Sequence, residues 1–319
     1  MKEVALVTGA AGFIGSHLAE RLAQSGYRVI GLDNFDDCYS RDIKWDNVRA
    51  LQATEDFQLE QGDIRDATSL ARIFSENSIS VVAHLAARAG VRPSLEQPLL
   101  YQDVNIGGTV NLLETSRAYG VRQFIFTSSS SVYGANSKAP FSEETNVDSP
   151  VSPYAASKAA AELFCRTYNR LYGLPVVVLR PFTVYGPRQR PEMAIHRFVR
   201  MIDRGEEVTL FGDGTTSRDY TYINDIINGF EAALAYRGET FQVFNLGGGR
   251  SIRLGYLLKL IEEALGKKAK TKNCPLPAGE LSITLADISK SHNILGYQPE
   301  TSIEEGIPLF VQWYLKNRR

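Results

Sequence analysis

The run Val4-Ala5-Leu6-Val7-Thr8 passes directly into Gly9-Ala10-Ala11-Gly12-Phe13-Ile14-Gly15, and this GxxGxxG turn limits the possible folds more than any other stretch of the chain. A short apolar run closed by glycine reads as a buried parallel strand. Apolar residues then recur at helical spacing (Ile14, Leu18, Leu22) until Gly26 stops them. In such a strand–turn–helix unit the first glycine permits a tight turn. The second lets the backbone approach a pyrophosphate, and the third lets helix and strand pack closely. The helix N-terminus then offers free N–H groups to phosphate. Gly-rich turns often bind nothing, so it is the flanking strand and helix that make this one a dinucleotide site.

The alternation continues along the chain. Strands are predicted at Tyr27–Leu32, from Phe57, at Val81–Leu85, Gln123–Thr127 and Val176–Arg180, with helices over Ala67–Phe74, Val104–Tyr119 and Tyr154–Tyr172. That order predicts an α/β fold, a Rossmann-type doubly wound parallel sheet with right-handed crossovers. Beyond about residue 181 the pattern changes. Thr183–Asp219 is rich in Arg, Pro and Gly and reads mostly as loops with one helix. A strand at Phe241–Leu246 and helices at Leu254–Leu265 and Ile303–Lys316 follow. The expected division is a dinucleotide-binding domain over 1–180, rejoined by about 221–247, and a smaller α/β substrate-binding domain, mainly 181–319, with a cleft between them.

Composition excludes several alternatives. With 35 Lys plus Arg against 36 Asp plus Glu, the chain lacks the basic excess of a nucleic-acid surface. No apolar run approaches a membrane span and no signal-peptide pattern opens the sequence, so a cytoplasmic protein is expected. Cys38, Cys165 and Cys274 are widely spaced and read as free thiols. His17 and His84 read as packing residues, and His196 and His292 lack metal-ligand spacing, so no metal is expected.

Asp33, with Asn34 beside it, ends the second strand, where an acid binds adenosine ribose hydroxyls. A 2′-phosphate there would meet repulsion of ~4 kcal/mol per charge at close range, which selects NAD over NADP. Asp63 and Ile64 after the third strand are placed for the adenine, although Gly62-Asp63 is also plain turn chemistry. Leu85, Ala86 and Ala87 at the end of the fourth strand, and Pro181 after the sixth, would let the cofactor lie close.

Tyr154 and Lys158 form a YxxxK pair, one helical turn apart on one face. A phenol titrates near ~10, too high for a base at neutral pH. Lowering it by ~3 units takes ~4 kcal/mol of differential stabilisation, within reach of a nearby ammonium and a nicotinium ring. Tyr154 is then the general base and Lys158 its electrostatic partner. Thr127-Ser128-Ser129-Ser130-Ser131 ends the fifth strand, where hydroxyls would bind a sugar and steady an alkoxide. Taken singly, each motif has a bland reading: an exposed Tyr and Lys on a helix, or a polar serine loop.

Together, GxxGxxG, Asp33, Ser129 and YxxxK resemble the extended short-chain dehydrogenase/reductase superfamily over essentially the whole chain. The resemblance implies a catalytic triad of Ser129, Tyr154 and Lys158. Pro181–Arg188 with Arg218–Ile223 resembles the nucleotide-sugar branch, which implies that Arg218 grips a UDP pyrophosphate. Its plain alternative is an ion pair with Asp219. Residues 205–214, containing Leu210-Phe211-Gly212-Asp213-Gly214, resemble the loop flanking the uridine. Sugar dehydratases of this branch carry Asp-Glu where this chain has Ser130 and Ser131, and the decarboxylases have Glu at the second place. Residues 86–92 and 183–194 are most similar to the UDP-glucuronate 4-epimerases. That likeness implies that the serine loop (Ser128, Ser129, Ser130) and Thr183 hold the sugar carboxylate. Arg92 and Arg190 are candidate sources of positive potential, with structural pairing to acids as the equal alternative. Arg88 departs from the family pattern at a sugar-facing position. The expected activity is reversible NAD-dependent conversion of UDP-glucuronic to UDP-galacturonic acid through a 4-keto sugar. The alternatives are a UDP-hexose 4-epimerase, a decarboxylase, a dehydratase or a non-catalytic NAD sensor. Superfamily habit implies a homodimer through helices 104–119 and 154–172.

Overall fold

The computed structural model describes residues 2–49, 51–135, 138–211, 214, 216–275 and 282–317. The first half alternates as its periodicity predicts. β1 (Val4–Thr8), α1 (Phe13–Gln24), β2 (Arg28–Asp33), α2 (Arg41–Arg49), β3 (Phe57–Gln61), α3 (Ala67–Asn77) and β4 (Val81–His84) follow one another. After β4 come two short helices, α4 (Val91–Glu96) and α5 (Pro98–Tyr101), then α6 (Thr109–Ala118), β5 (Gln123–Thr127), α7 (Pro153–Tyr172) and β6 (Val176–Pro181). α7 is delimited by its own sequence. Ser152 accepts the Ala155 N–H at its start, and Gly173 adopts the left-handed conformation at its end.

The later elements are β7 (Thr183–Tyr185), α8 (Ala194–Asp203), β8 (Glu207–Phe211), β9 (Ser217–Tyr222), α9 (Ile223–Ala235) and β10 (Phe241–Leu246). β11 (Ser251–Arg253), α10 (Leu254–Leu265), β12 (Lys270–Cys274), α11 (Ser289–Leu295) and α12 (Ile303–Asn317) complete the chain. A seven-stranded sheet runs in the order β10-β6-β5-β4-β1-β2-β3, and every neighbouring pair is parallel. This is the doubly wound α/β architecture. Its chain order reverses between β1 and β4, and ligand crevices open at such a switch point.

Burial follows the period-two geometry of strands. Ala5, Val7, Val29, Ile125, Val177 and Leu179 face one core with α1 and α9. Leu6, Ile30, Phe124, Phe126, Val176 and Val178 face the other with α3, α6 and α7. Both faces are covered, so these strands read as continuous apolar runs rather than alternating ones. His84 lies in this core, bonded to Thr8 Oγ1 at 2.8 Å and Thr109 Oγ1 at 2.9 Å. Burial holds its pKa down at about 3, so it is a neutral packing residue.

Two expectations require correction. Thr183–Asp219 is not mostly loop: it holds β7, α8, β8 and the start of β9. These strands pair with segments remote in sequence, β9 with β11 and β8 with β12, so no local signal announces them. The predicted helix Val104–Tyr119 is also interrupted, because Gln102–Gly108 is π-helical before α6 begins. Wide turns of this kind recur at functional sites.

Candidate active site

Two adjoining cavities, of about 400 Å³ and 390 Å³, share Ala89, Thr183, Arg190 and Met193 and so form one continuous cleft. The first lies at the carboxyl ends of β1, β2 and β4 and of β5 and β6. Gly9, Gly12, Phe13, Ile14, Gly15, Asp33, Asn34, Asp63, Ile64, Leu85, Ala86, Ala87 and Pro181 all line it, as do Ser128, Ser129, Ser130, Tyr154 and Lys158. The second is lined by Arg92 and Arg218, with Thr183 and Arg190 at the junction.

The glycine turn is built for close approach. Gly9 sits at φ +71°, and a Cβ there would stand 2.9 Å from the Ala86 amide nitrogen. A Cβ on Gly15 would lie 2.1 Å from the Gly9 carbonyl oxygen, so only glycine lets α1 sit down on β1. No side chain caps the N-terminus of α1, which leaves its first N–H groups facing the cleft. Asp33 accepts the Ala11 N–H at 3.0 Å and the Phe35 N–H at 2.8 Å. It therefore caps the turn and faces the cleft at once. Burial pushes its carboxyl up, opposed by Lys44 and those two amides. Asn34 donates to Asp63 at 2.9 Å, and hydrogen bonds from Arg65 hold Asp63 down at about 2. A small-residue floor, an uncapped helix start and two carboxylates at the far end fit a dinucleotide.

The serine loop folds into a short 3₁₀ turn, Ser130–Tyr133, capped by Ser129. Ser129 Oγ accepts the Ser131 N–H at 3.1 Å and lies 3.1 Å from Ser131 Oγ. Tyr154 is half-buried at the start of α7. Burial raises its phenol above the ordinary value, while a hydrogen bond from Ser129 and the charge of Arg190 pull it back. Sequence spacing predicts Lys158 as the group that lowers this phenol. In the structure Lys158 shares the cleft with Tyr154. The Lys158 Nζ donates to the Thr127 carbonyl at 2.7 Å. Burial brings Lys158 down to about 8, with Cys165 and Glu162 acting against the fall.

Sequence reasoning missed the group behind this wall. Ser128, expected on the sugar, turns its hydroxyl inward to Glu162. Glu162 also takes a forked pair of bonds from Arg180, Nε at 2.9 Å and Nη2 at 2.6 Å. Arg180 lies 4.9 Å over the Tyr133 ring. The available signals were Glu162 one turn beyond Lys158 on the same helix face, and a lone arginine in an apolar strand.

Around the second cavity, Arg92 stacks 4.5 Å over Phe211. Arg190 Nε lies 3.3 Å from Glu192, so the pairing alternative is met while the residue still lines both cavities. Arg218 does not turn toward Asp219. Successive strand residues point to opposite faces, and Asp219 is buried, accepting the N–H groups of Gly248 at 2.6 Å and Ala286 at 3.0 Å. Gly212 and Asp213 of the expected uridine loop lie outside the described residues. Met193, Arg197 and Tyr220 line the second cavity without having been singled out.

Fold and cleft together define an extended short-chain dehydrogenase/reductase. The chain belongs to the family described as GDP-mannose 4,6 dehydratase, whose model matches residues 6–309. It is 46% identical over 313 residues to a UDP-glucuronate 4-epimerase of Thermodesulfobacterium geofontis, covering 98% of this chain and 96% of that protein. The crystal structure of a UDP-glucuronic acid 4-epimerase from Bacillus cereus, in complex with UDP-glucuronic acid and NAD, is 39% identical. It superposes with a TM-score of 0.93 over 98% of this chain and 99% of that one. A UDP-glucose 4-epimerase from Thermotoga maritima, solved with UDP-glucose, is similar at 36% identity and a TM-score of 0.91, covering 99% of this chain and 100% of that one.

Proposed function

We infer that this chain is an NAD-dependent isomerase that interconverts UDP-glucuronic and UDP-galacturonic acid at C4. The observation that carries the reading is the cleft itself. A dinucleotide-shaped half opens into an arginine-lined half, and Thr183 and Arg190 stand at the junction near the Ser129–Tyr154 pair. Likeness to UDP-glucuronate 4-epimerases over nearly the full chain supports it.

Gly9, Gly12, Phe13, Ile14 and Gly15 hold the pyrophosphate of NAD. Asp33, Asn34, Asp63 and Ile64 hold its adenosine, and Leu85, Ala86, Ala87, Pro181, Tyr154 and Lys158 the nicotinamide half. When bound, NAD⁺ supplies the reversible hydride acceptor and a positive ring. Tyr154 takes the proton of the sugar 4-hydroxyl and later returns it. Ser129 donates to the same oxygen while it carries charge. Lys158, fixed on the Thr127 carbonyl, anchors ribose and keeps positive potential at the base of the site. Arg190 adds positive potential beside Tyr154, where part of the fall that the phenol needs is supplied. Arg218, with Arg92, grips the diphosphate. Residues 1–180 with about 221–247 thus serve the cofactor, and 181–319 mainly the UDP-sugar.

Ser130 and Ser131 stand where elimination would need carboxylates, and a serine hydroxyl cannot do the work of a carboxylate acid or base at neutral pH. The keto sugar is therefore left to turn over and accept hydride on its other face. It is also a β-keto acid, prone to lose CO₂ when the carboxylate bond aligns with the carbonyl π system. Thr183 and the serine loop hold that bond out of alignment.

The test is proton NMR of products from UDP-glucuronate, UDP-glucose and UDP-N-acetylglucosamine. Conversion of the first alone supports the reading, and conversion of only the neutral sugars contradicts it. In the same assay Thr183→Ala is expected to release CO₂ and a UDP-pentose, and the absence of both would sink the role given to Thr183.

A cytoplasmic homodimer completes the reading. Leu99 is 78% exposed, and Leu163 and Leu171 are each 65% exposed, on the adjoining helices α5 and α7. Leucines so open to water favour burial against a second copy. Free Cys38 and Cys165 suit a reducing compartment.

A further inference from the structure

Asp36 stands in the loop after β2 and Arg88 in the loop after β4. In the sheet these strands flank β1, whose end becomes the glycine turn. Neighbouring strands lie about 4.8 Å apart, so a contact between the two loops must reach roughly 10 Å across the end of β1. That contact exists: the Arg88 guanidinium donates to the Asp36 carboxylate, and both residues line the cleft. The floor beneath is already filled. Gly9 donates to Leu32 O at 2.7 Å, and Ala86 closes on the other side of Gly9. The ion pair therefore lies outside the glycine turn, on the open side of the crevice. Sequence likeness put Arg88 toward the sugar; in the structure its guanidinium reaches across the cleft to Asp36.

Both ends are anchored. The Arg88 N–H donates to Asn105 Oδ1 at 2.8 Å, and Asn105 Nδ2 returns a bond to the Arg88 carbonyl at 3.0 Å. Asn105 belongs to the π-helical stretch and also lies 2.9 Å from Ser157 Oγ, beside Lys158. The Tyr101 hydroxyl bonds the next two carbonyls, Ala89 at 2.8 Å and Gly90 at 3.0 Å, and its ring meets Tyr154 edge-on. Across the crevice, Asp36 accepts the Cys38 N–H at 2.9 Å, and its carbonyl takes the buried Lys44 ammonium at 2.7 Å. Side-chain exposure of 15% for Arg88 and 30% for Asp36 makes the pair partly desolvated, so salt screens it less than an open surface pair. Burial pushes the Asp36 carboxyl up, yet the Cys38 amide and Arg88 hold it below its ordinary range.

We propose that the Arg88–Asp36 pair is a strap across the mouth of the dinucleotide cleft that retains the bound cofactor from one turnover to the next. This rests on the reading of that cleft as an NAD site. The chemistry requires such a device: hydride that leaves C4 returns to C4, so exchange of the cofactor serves no purpose and each loss stops the enzyme. Tight retention then falls to residues that join the two loops rather than to the sugar-binding half.

The experiment loads wild type, Arg88→Gln, Asp36→Asn and the double variant with labelled NAD, chases with unlabelled NAD and follows the label retained. Each single variant is expected to release label about tenfold faster or more, equivalent to ~1.4 kcal/mol. The double variant should be no faster than the singles, because one bond is broken in all three. Turnover by the variants should decay unless NAD is added, and with NAD saturating in both, their unfolding midpoint should lie close to that of wild type. Unchanged release in both single variants overturns the strap, as does slower release, which would make the pair a barrier to binding. A wild-type protein that takes up no NAD overturns the reading of the cleft, and the strap with it.

Discussion

Tyr154→Phe is expected to lower kcat by about a thousandfold, within the range of ~10²–10⁴ that a positioned proton-transfer group supplies. The variant should still bind NAD and the sugar nucleotide. Removing one oxygen keeps the ring, which packs edge-on against Tyr101 at the start of α7, and costs only the hydrogen bond with Ser129. Among the described residues of the cleft, none of the neighbouring groups takes over. A serine hydroxyl such as that of Ser129 is too weak an acid to exchange the proton as an alkoxide, Lys158 is committed to the Thr127 carbonyl, and a guanidinium has no acceptor. Single-turnover assays with saturating UDP-glucuronate separate this loss from weakened binding. A fall of less than tenfold would mean that the proton leaves by another route.

Glu162→Ala is expected to destabilise the fold by about 3–5 kcal/mol, the usual consequence of stranding one member of a buried ion pair. The side chains of Arg180 and Glu162 are 4% and 8% exposed, and the pair is forked. Denaturant unfolding measures the loss, and a double variant, Glu162→Leu with Arg180→Met, should regain most of it because no charge is then left buried. Equal destabilisation in single and double variants would show that packing, not charge, is at issue. Glu162→Gln keeps the shape and tests a second effect. Lys158 titrates near 8, low because it is buried, and the Glu162 charge works against that fall. A lysine is charged below its pKa, so removing the negative charge should move the alkaline limb of the pH–rate profile to lower pH. A limb that stays in place would detach Glu162 from Lys158.

How much of this was legible in the sequence follows from the range of the forces involved. Local signals carried the first half: GxxGxxG fixed β1 and α1, Ser152 and Gly173 delimit α7, and apolar runs marked the parallel strands. The line of cleft residues from Gly9 to Pro181 was readable because ligands collect where such strands end. Contacts between distant segments were not readable. β7, β8, β11 and β12 are only three to five residues long, and become strands only through partners far along the chain. Ser128 looked like a sugar ligand by its place in a serine run, and only the packing of α7 on β5 and β6 turns it to Glu162. Lys158 stands one helical turn from Tyr154 in the same cleft, as the spacing predicts, but its bond to the Thr127 carbonyl is a contact between distant segments that no local signal announces.

The most direct test starts from UDP-glucuronate deuterated at C4. If hydride leaves C4 to bound NAD and returns to the opposite face, UDP-galacturonate should keep its deuterium at C4 in ordinary water, with no dependence on added NAD. Product bearing solvent hydrogen at C4, with label lost to water, would contradict a hydride mechanism at this site.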